Sequence, residues 1–258
     1  MNVRTKVSII IPSYKRGSLL KWNLLSLSKQ NIPFDFETIV LNDGVLDETE
    51  QLCLHYKEAL NMKYFFTGQR NMRGESIWRI PGFAINIGVK KSEGDIILLC
   101  CAEMFHVNDT VKLITDVYNS PDSDKIIAIP KAKDDNGSFL RHVEFTKGDF
   151  NIYEYSRQPK LDNVKFPFLL AIKKKEFIDV GGYDEDFIGT DFDDTDFVER
   201  LVKNGCHYVE TDAKTIHLYH HRLPMSQERI PKYQYNKKLY VERKDIIIRN
   251  VGREWGIL

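Results

Sequence analysis

The chain has 258 residues, 37 Lys and Arg against 37 Asp and Glu, four cysteines and 42% hydrophobic residues. That length supports a sizeable core. The charged fraction of 29% and aromatic fraction of 12% exclude an intrinsically disordered protein, and the zero net charge excludes a generally basic nucleic-acid binder. Cys53, Cys100, Cys101 and Cys206 form no Cys-x-x-Cys pair, which points away from a disulfide framework and toward a reducing, cytoplasmic compartment. The apolar run Val7–Ile11 is too short for a signal peptide or a membrane span, and no other stretch is long enough to cross a bilayer. The sequons at Asn108 and Asn136 are therefore read as chance.

In chain order, Val7–Ile11 reads as a buried strand stopped by Pro12. Ser18–Gln30, with six large apolar residues, reads as a helix, and Phe36–Leu41 as a second strand ending at Asn42-Asp43-Gly44. Asp47–Leu60 is helical, with acids in the first turn where the helix dipole favours them. A short strand (Lys63–Phe66), a helix (Gly82–Lys91) and an apolar strand (Asp95–Cys101) follow. Strand alternating with helix predicts an α/β, doubly wound, mainly parallel sheet, which binds ligands beyond the carboxyl ends of its strands. Ser13, Tyr14, Asn42, Asp43 and Glu103 stand at those ends.

In the second half, Val111–Tyr118 is predicted helical, Lys125–Pro130 a strand, Asp134–Asn151 loop and hairpin, Phe166–Lys173 a strand, and Lys174–Val180 a short helix. Asp193–Asn204 is an amphipathic helix closed by Gly205, Cys206–Glu210 a strand, and His217, His220 and His221 cluster after it. The tail from Gln227 is polar and basic around Lys237-Lys238 and Arg243-Lys244. No Gly-x-Gly-x-x-Gly or Walker loop follows the first strand, which argues against a dehydrogenase and a P-loop phosphotransferase.

Four blocks carry a resemblance: Val7 to Arg16; Val40-Leu41-Asn42-Asp43-Gly44-Val45-Leu46-Asp47; Ala84 to Gly88 followed by Glu93 to Leu99; and Gly181-Gly182-Tyr183-Asp184-Glu185-Asp186-Phe187 followed by Asp193 to Phe197. In this order they resemble family 2 glycosyltransferases over roughly residues 7–221. The resemblance implies a GT-A type, Rossmann-like sheet with a small acceptor-side subsheet. It implies a catalytic domain over 1–225 (about 1–105 for the nucleotide, 106–225 for the acceptor) and a basic tail or lid over 226–258 packed on that domain. It further implies inverting transfer from a nucleotide sugar, a UDP-sugar first, to a saccharide or glycoconjugate hydroxyl. Membrane contact, if any, is peripheral.

The donor nucleotide is then expected at Pro12, Ser13, Tyr14, Arg16, Asn42, Asp43, Arg79, Asn86 and Ala102. The family's Asp-x-Asp, whose carboxylates hold Mn2+ or Mg2+, reads Cys101-Ala102-Glu103 here. Glu103 is the expected cation ligand, with His217 first and His220 second as nitrogen ligands suited to Mn2+. Cys101 is expected to be a packing residue. The family's catalytic acid pair falls on Asp193-Asp194, with Asp194 as the base. Asp191, Asp193, Asp194 and Asp196 crowd one helix start, which raises at least one pKa. Two competing readings are a GT-A module that binds without turnover and a nucleotidyltransferase. Pro12 to Gly17 makes a poor phosphate loop for the latter, and the neutral total makes a nucleic-acid-modifying role a minor alternative.

Overall fold

A computed structural model describes residues 6–68, 80–150, 152–189, 191–222, 226–227 and 229–258. The first half alternates strictly: β1 (Val7–Ser13), α1 (Gly17–Ser28), β2 (Phe36–Asn42), α2 (Thr49–His55), β3 (Met62–Phe66), α3 (Pro81–Lys91) and β4 (Ile96–Cys100). The second half is built from β5 (Met104–His106), α4 (Thr110–Thr115), β6 (Ile126–Asp134), α5 (Ser138–Phe145), α6 (Ile152–Arg157), β7 (Leu169–Lys173), α7 (Lys174–Asp179), α8 (Asp193–Lys203), β8 (His207–His217) and α9 (Arg229–Arg243). The described strands form one sheet of order β3-β2-β1-β4-β7-β6-β8-β5. Pairs β1–β2, β1–β4, β2–β3 and β6–β8 are parallel; β7 runs against β4 and β6, and β5 against β8.

Residues of β1 explain why both faces are covered. Ile9 and Ile11 face one cluster with Leu20, Leu24 and Leu27 of α1 and Val111 and Ile114 of α4. Ile10 faces the other, with Ala84, Ile85 and Ile87 of α3 and Phe197 and Leu201 of α8. A strand buried on both faces reads as a continuous apolar run, as Val7–Ile11 does. Helix α3 lies close on the sheet because Gly88 has no side chain: a Cβ there would stand 2.6 Å from Ile10 Cγ2 and 2.8 Å from Leu41 Cδ2.

The acceptor-side strands β7-β6-β8-β5 continue the sheet beyond β4. Two expectations change. The strand expected over Cys206–Glu210 runs on to His217, because β8 pairs with β6 as far as Asp134↔His217. The hairpin expected within Asp134–Asn151 is helix α5, whose first turn is capped from outside: Asp135 accepts the backbone N–H groups of Phe139 (3.0 Å) and Leu140 (3.0 Å). Phe139 and Val143 then bury one helical face against Phe105 and Ile216.

The tail is an integral part of the packing. Arg249 N–H donates to Val180 O (3.1 Å), Asn250 Nδ2 donates to the carbonyls of Gly181 (2.8 Å) and Tyr183 (2.7 Å), and Gly256 N–H donates to Glu185 (2.8 Å). Among the described residues no helix is long and apolar enough to cross a membrane.

Gly88→Val should overfill the α3–sheet contact and cost about 1–3 kcal/mol, seen as a lower urea midpoint with an unchanged slope.

Candidate functional site

The carboxyl ends of β1 and β2 lie side by side, Ser13 against Asn42. Asp43 N–H donates to Ser13 O at 2.7 Å, and the Asp43 carboxylate accepts the Thr67 hydroxyl, so the buried aspartate has a fixed orientation. Asn42 donates to Asp47 Oδ1 and to the Tyr64 hydroxyl, both at 3.3 Å, while its buried amide oxygen has no hydrogen-bond partner among the described residues. The half-buried Tyr14 ring lies 3.6 Å from the position a Cβ would take on Gly44, whose φ of +91° suits glycine. Pro12 is half-buried at the end of β1. Arg79 lies outside the described residues.

A second group stands beyond β4. The Arg16 guanidinium pairs with Glu103 and also reaches His220 Nδ1 at 3.5 Å. Leu218 N–H donates to Glu103 O at 2.8 Å, tying the β4–β5 turn to the end of β8. The strand register brings Asp134 beside His217, whose Nδ1 stands 3.0 Å from the carboxylate; the second Asp134 oxygen takes Arg222 at 2.8 Å. The His217 and His220 rings are 5.3 Å apart. Both histidines line a cleft of about 370 Å3 together with Asp134, Asn136, Tyr219 and Arg222. Burial lowers the His220 pKa, with Glu103 opposing, so the ring is neutral at pH 7. Cys101 and Ala102 pack on the core. Burial, with Glu103 adding to it, pushes the Cys101 thiol well up, so it stays protonated. Glu103, His217 and His220, the cation ligands expected from the sequence, lie in this one group, but among the described residues no three His, Cys, Asp or Glu side chains stand close enough together to hold a metal ion.

The third group is the acid pair. Asp191 (φ 78°) and Phe192 (φ 72°) both adopt the left-handed conformation just before α8, which is costly for residues with a Cβ. Arg229 holds the Asp191 carboxylate with both oxygens at 2.9 Å, and Asn236 Nδ2 donates to the Asp191 carbonyl at 3.0 Å. The turn lets α8 begin on Asp193 and Asp194. Tyr183 O–H donates to Asp194 Oδ1 at 3.0 Å. Burial pushes both carboxyls up, Asp193 well above the usual carboxylate range with Asp194 adding to it, and Asp194 to about 6 against the opposing Tyr183 bond.

Behind the pair lies a buried ionic network. Asp196 takes Arg200 Nε at 2.7 Å and Arg249 at 2.6 Å; Asp184 takes Arg243 at 2.7 Å and Arg249 at 3.0 Å; Asp186 takes Arg243 and Arg253, each at 2.8 Å. Arg243, Arg249 and Arg253 of the tail are thus paired with Asp184, Asp186 and Asp196, while Lys237, Lys238 and Lys244 stay exposed.

Asn86 has a different task from the one expected. It is fully buried, its Oδ1 accepts Tyr183 N–H at 2.8 Å, and its Nδ2 donates to Tyr183 O (3.0 Å) and Glu185 (2.9 Å). Every amide hydrogen is committed to that turn, so Asn86 is a bracket and not a donor contact. The residues missed from sequence are Tyr183, Asp134, Arg229 and Arg249. Only Tyr183 had a signal, a hydroxyl where the related block has Phe; the others become visible through β6–β8 register and tail docking.

The family model described as Glycosyltransferase like family 2 matches residues 8–240. The chain is 26% identical over 232 residues to validoxylamine A glucosyltransferase of Streptomyces hygroscopicus subsp. limoneus, covering 77% of this chain and 48% of that protein. It is 25% identical over 284 residues to the chondroitin synthase of Escherichia coli, covering 92% of this chain and 40% of that protein. The chain therefore spans less than half the length of these two curated relatives. Among solved structures, GalNAc-T7 with UDP, GalNAc and Mn2+ superposes with a TM-score of 0.64 at 17% identity, over 96% of this chain and 49% of that one. The fold is the GT-A fold, and the chain belongs to glycosyltransferase-like family 2.

A carboxyl whose folded pKa exceeds its unfolded one supports folding while protonated, and that support is lost as pH rises through the folded pKa. Asp193→Asn should therefore raise Tm relative to wild type at about pH 8 and leave it unchanged near pH 3, where both side chains are neutral. Arg249→Ala takes one of its arginine partners from each of Asp184 and Asp196, leaving Arg243 and Arg200 on them, and should cost at most about 3–5 kcal/mol in chemical denaturation.

Proposed function

We propose that this family 2 chain is an inverting glycosyltransferase that moves a sugar from a nucleotide-diphosphate sugar, a UDP-sugar first, to the hydroxyl of a saccharide or glycoconjugate acceptor. The observation that carries this reading is Asp194. It is a half-buried carboxylate with its pKa raised to about 6, held at a helix start by one hydrogen bond. Such a group is ionised at neutral pH and basic enough to take a proton. A nucleotide-sugar donor is supported by family membership and by the UDP in the GalNAc-T7 structure.

In the proposed reaction, Asp194 accepts the proton of the acceptor hydroxyl as that oxygen attacks the anomeric carbon. The new C–O bond forms opposite the bond to the diphosphate, which breaks with its electron pair leaving on the nucleoside diphosphate. Burial and the neighbouring Asp194 push the Asp193 carboxyl well up, which disfavours a second negative charge at the pair. Ser13, Tyr14, Asn42 and Asp43, at the ends of β1 and β2, take the nucleoside. Asp43, its carboxylate fixed by Thr67, accepts a base N–H. Arg16, between Glu103 and His220, places a guanidinium at the diphosphate. Glu103 and His217, with His220 beside them, would hold Mn2+ or Mg2+, which supplies positive charge to the leaving group when bound. Surface polysaccharide or glycoconjugate synthesis is the setting we infer, supported by the similarity to a chondroitin synthase. A cytoplasmic location is supported by the free cysteines.

A thermal-shift screen with UDP-, GDP- and dTDP-sugars, with and without Mn2+, should show stabilisation by a UDP-sugar. Asp194→Asn should keep that stabilisation and lose transfer by about 100-fold or more, the scale of general-base catalysis. A fully active Asp194→Asn would remove Asp194 as the base. Glu103→Ala should abolish the part of the shift that depends on Mn2+.

A further inference from the structure

Tyr183 is buried with its ring stacked on Phe197 at a centroid distance of 4.3 Å and an interplanar angle of 15°. Phe197 lies three residues after Asp194, so both occupy one face of α8. A single side chain therefore packs on one α8 residue and donates its hydroxyl to the other, at 3.0 Å. Its backbone is fixed independently of α8. Asn86 of α3 accepts its N–H and donates to its carbonyl, and Asn250 donates to the same carbonyl at 2.7 Å. Gly82, in the first turn of α3, leaves the room that the ring fills; a Cβ there would overlap Tyr183.

We propose that Tyr183 is a positioning residue for Asp194: its hydroxyl holds Oδ1, fixes the carboxylate rotamer and leaves Oδ2 to receive the acceptor proton. The inference rests on the reading of Asp194 as the base. It adds a line of rigid contacts from α3, in the nucleotide half, through Tyr183 to the proton acceptor. A donated hydrogen bond stabilises the ionised form, opposing the burial that raises the carboxyl. The hydroxyl therefore sets how far up the base is tuned. The charged and titratable groups around Asp194 are Asp193 on its own helix, Asp191 with Arg229 of α9 in the preceding turn, Tyr183 itself, and Arg200, 5.8 Å from the Phe197 ring. None of the others is altered by removing one phenolic oxygen.

The test is a carbon-13 carboxyl titration of the full chain, with Asp194→Asn identifying the Asp194 resonance, in wild type and in Tyr183→Phe. The phenylalanine variant should move the Asp194 midpoint upward by about one pH unit, the worth of one hydrogen bond. The acidic limb of kcat for the donor found in the screen should move with it, and the UDP Kd should stay within about twofold. An unmoved Asp194 titration overturns the proposal. If Tyr183→Phe does not fold, Phe197→Leu, which keeps the hydroxyl but removes the ring that aims it, should raise the midpoint by a smaller amount, and an unmoved midpoint there is equally fatal. Loss of the base reading is a separate result, an Asp194→Asn variant that still transfers sugar; the titration would then still report whether Tyr183 holds that carboxylate.

Discussion

Three aspartates and four arginines meet in the interior of this protein. Arg200 is 1% exposed and gives its guanidinium to Asp196 and to the carbonyls of Val180 and Gly182. Arg249 is 4% exposed and bridges Asp196 to Asp184. Asp184 and Asp196 are buried, so an arginine lost from them is counter-charge that water does not replace, and such a loss costs more than the assembled network gains over apolar packing. The network therefore acts as a constraint more than as a source of stability. The turn that carries Asp184 and Asp186, the helix that carries Asp196 and the tail that carries Arg243, Arg249 and Arg253 can be buried only together.

That constraint explains how the acid pair tolerates its position. Asp193 and Asp194 are neighbours at a helix start, and the preceding Asp191 and Phe192 are left-handed. Each such residue costs about 1–3 kcal/mol unless its surroundings determine it. The surroundings here are α9, through Arg229 and Asn236, and the Asp196 anchor one turn into α8. Without them the chain would relax the turn and move the carboxylates apart. With them, burial raises both carboxyl pKa values, and the strain resides beside the group proposed to accept a proton.

The sheet was readable because burial on both faces forces β-branched runs: Val7–Ile11 and Ile39–Val40 have few other uses. Helix α5 was not, since its cap is Asp135, two residues before the glycine that opens the turn, and Asp-Asn-Gly-Ser resembles hairpin chemistry. At the site, side chains placed by strand ends were legible: Ser13, Asn42, Asp43 and Glu103 stand where strand-end reasoning puts them. What depends on distant partners was not. Asn86 looks like a polar residue near a nucleotide until Tyr183, 97 residues later, takes its amide. Part of the basic tail is a solvent-exposed patch, at Lys237, Lys238 and Lys244, but Arg243, Arg249 and Arg253 meet acids instead. Long-range charge pairing leaves no local pattern in the chain.

The replacement of an aspartate by Cys101 acquires a physical sense from the same charge accounting. Glu103 and Arg16 neutralise one another, His220 is uncharged at neutral pH, and the Cys101 thiol is held protonated. The site is therefore close to neutral before a donor arrives, where a second ionised carboxylate at position 101 would leave it negative. In the proposed reaction a nucleotide sugar would bring a doubly negative diphosphate, and a divalent cation held there would restore neutrality without any further protein charge. A site that lacks the first aspartate thus needs less cationic compensation in its empty state, and a single arginine held between Glu103 and His220 supplies it. On the proposed reading, the loss of one family carboxylate fits diphosphate binding because the charges of Glu103 and Arg16 already cancel.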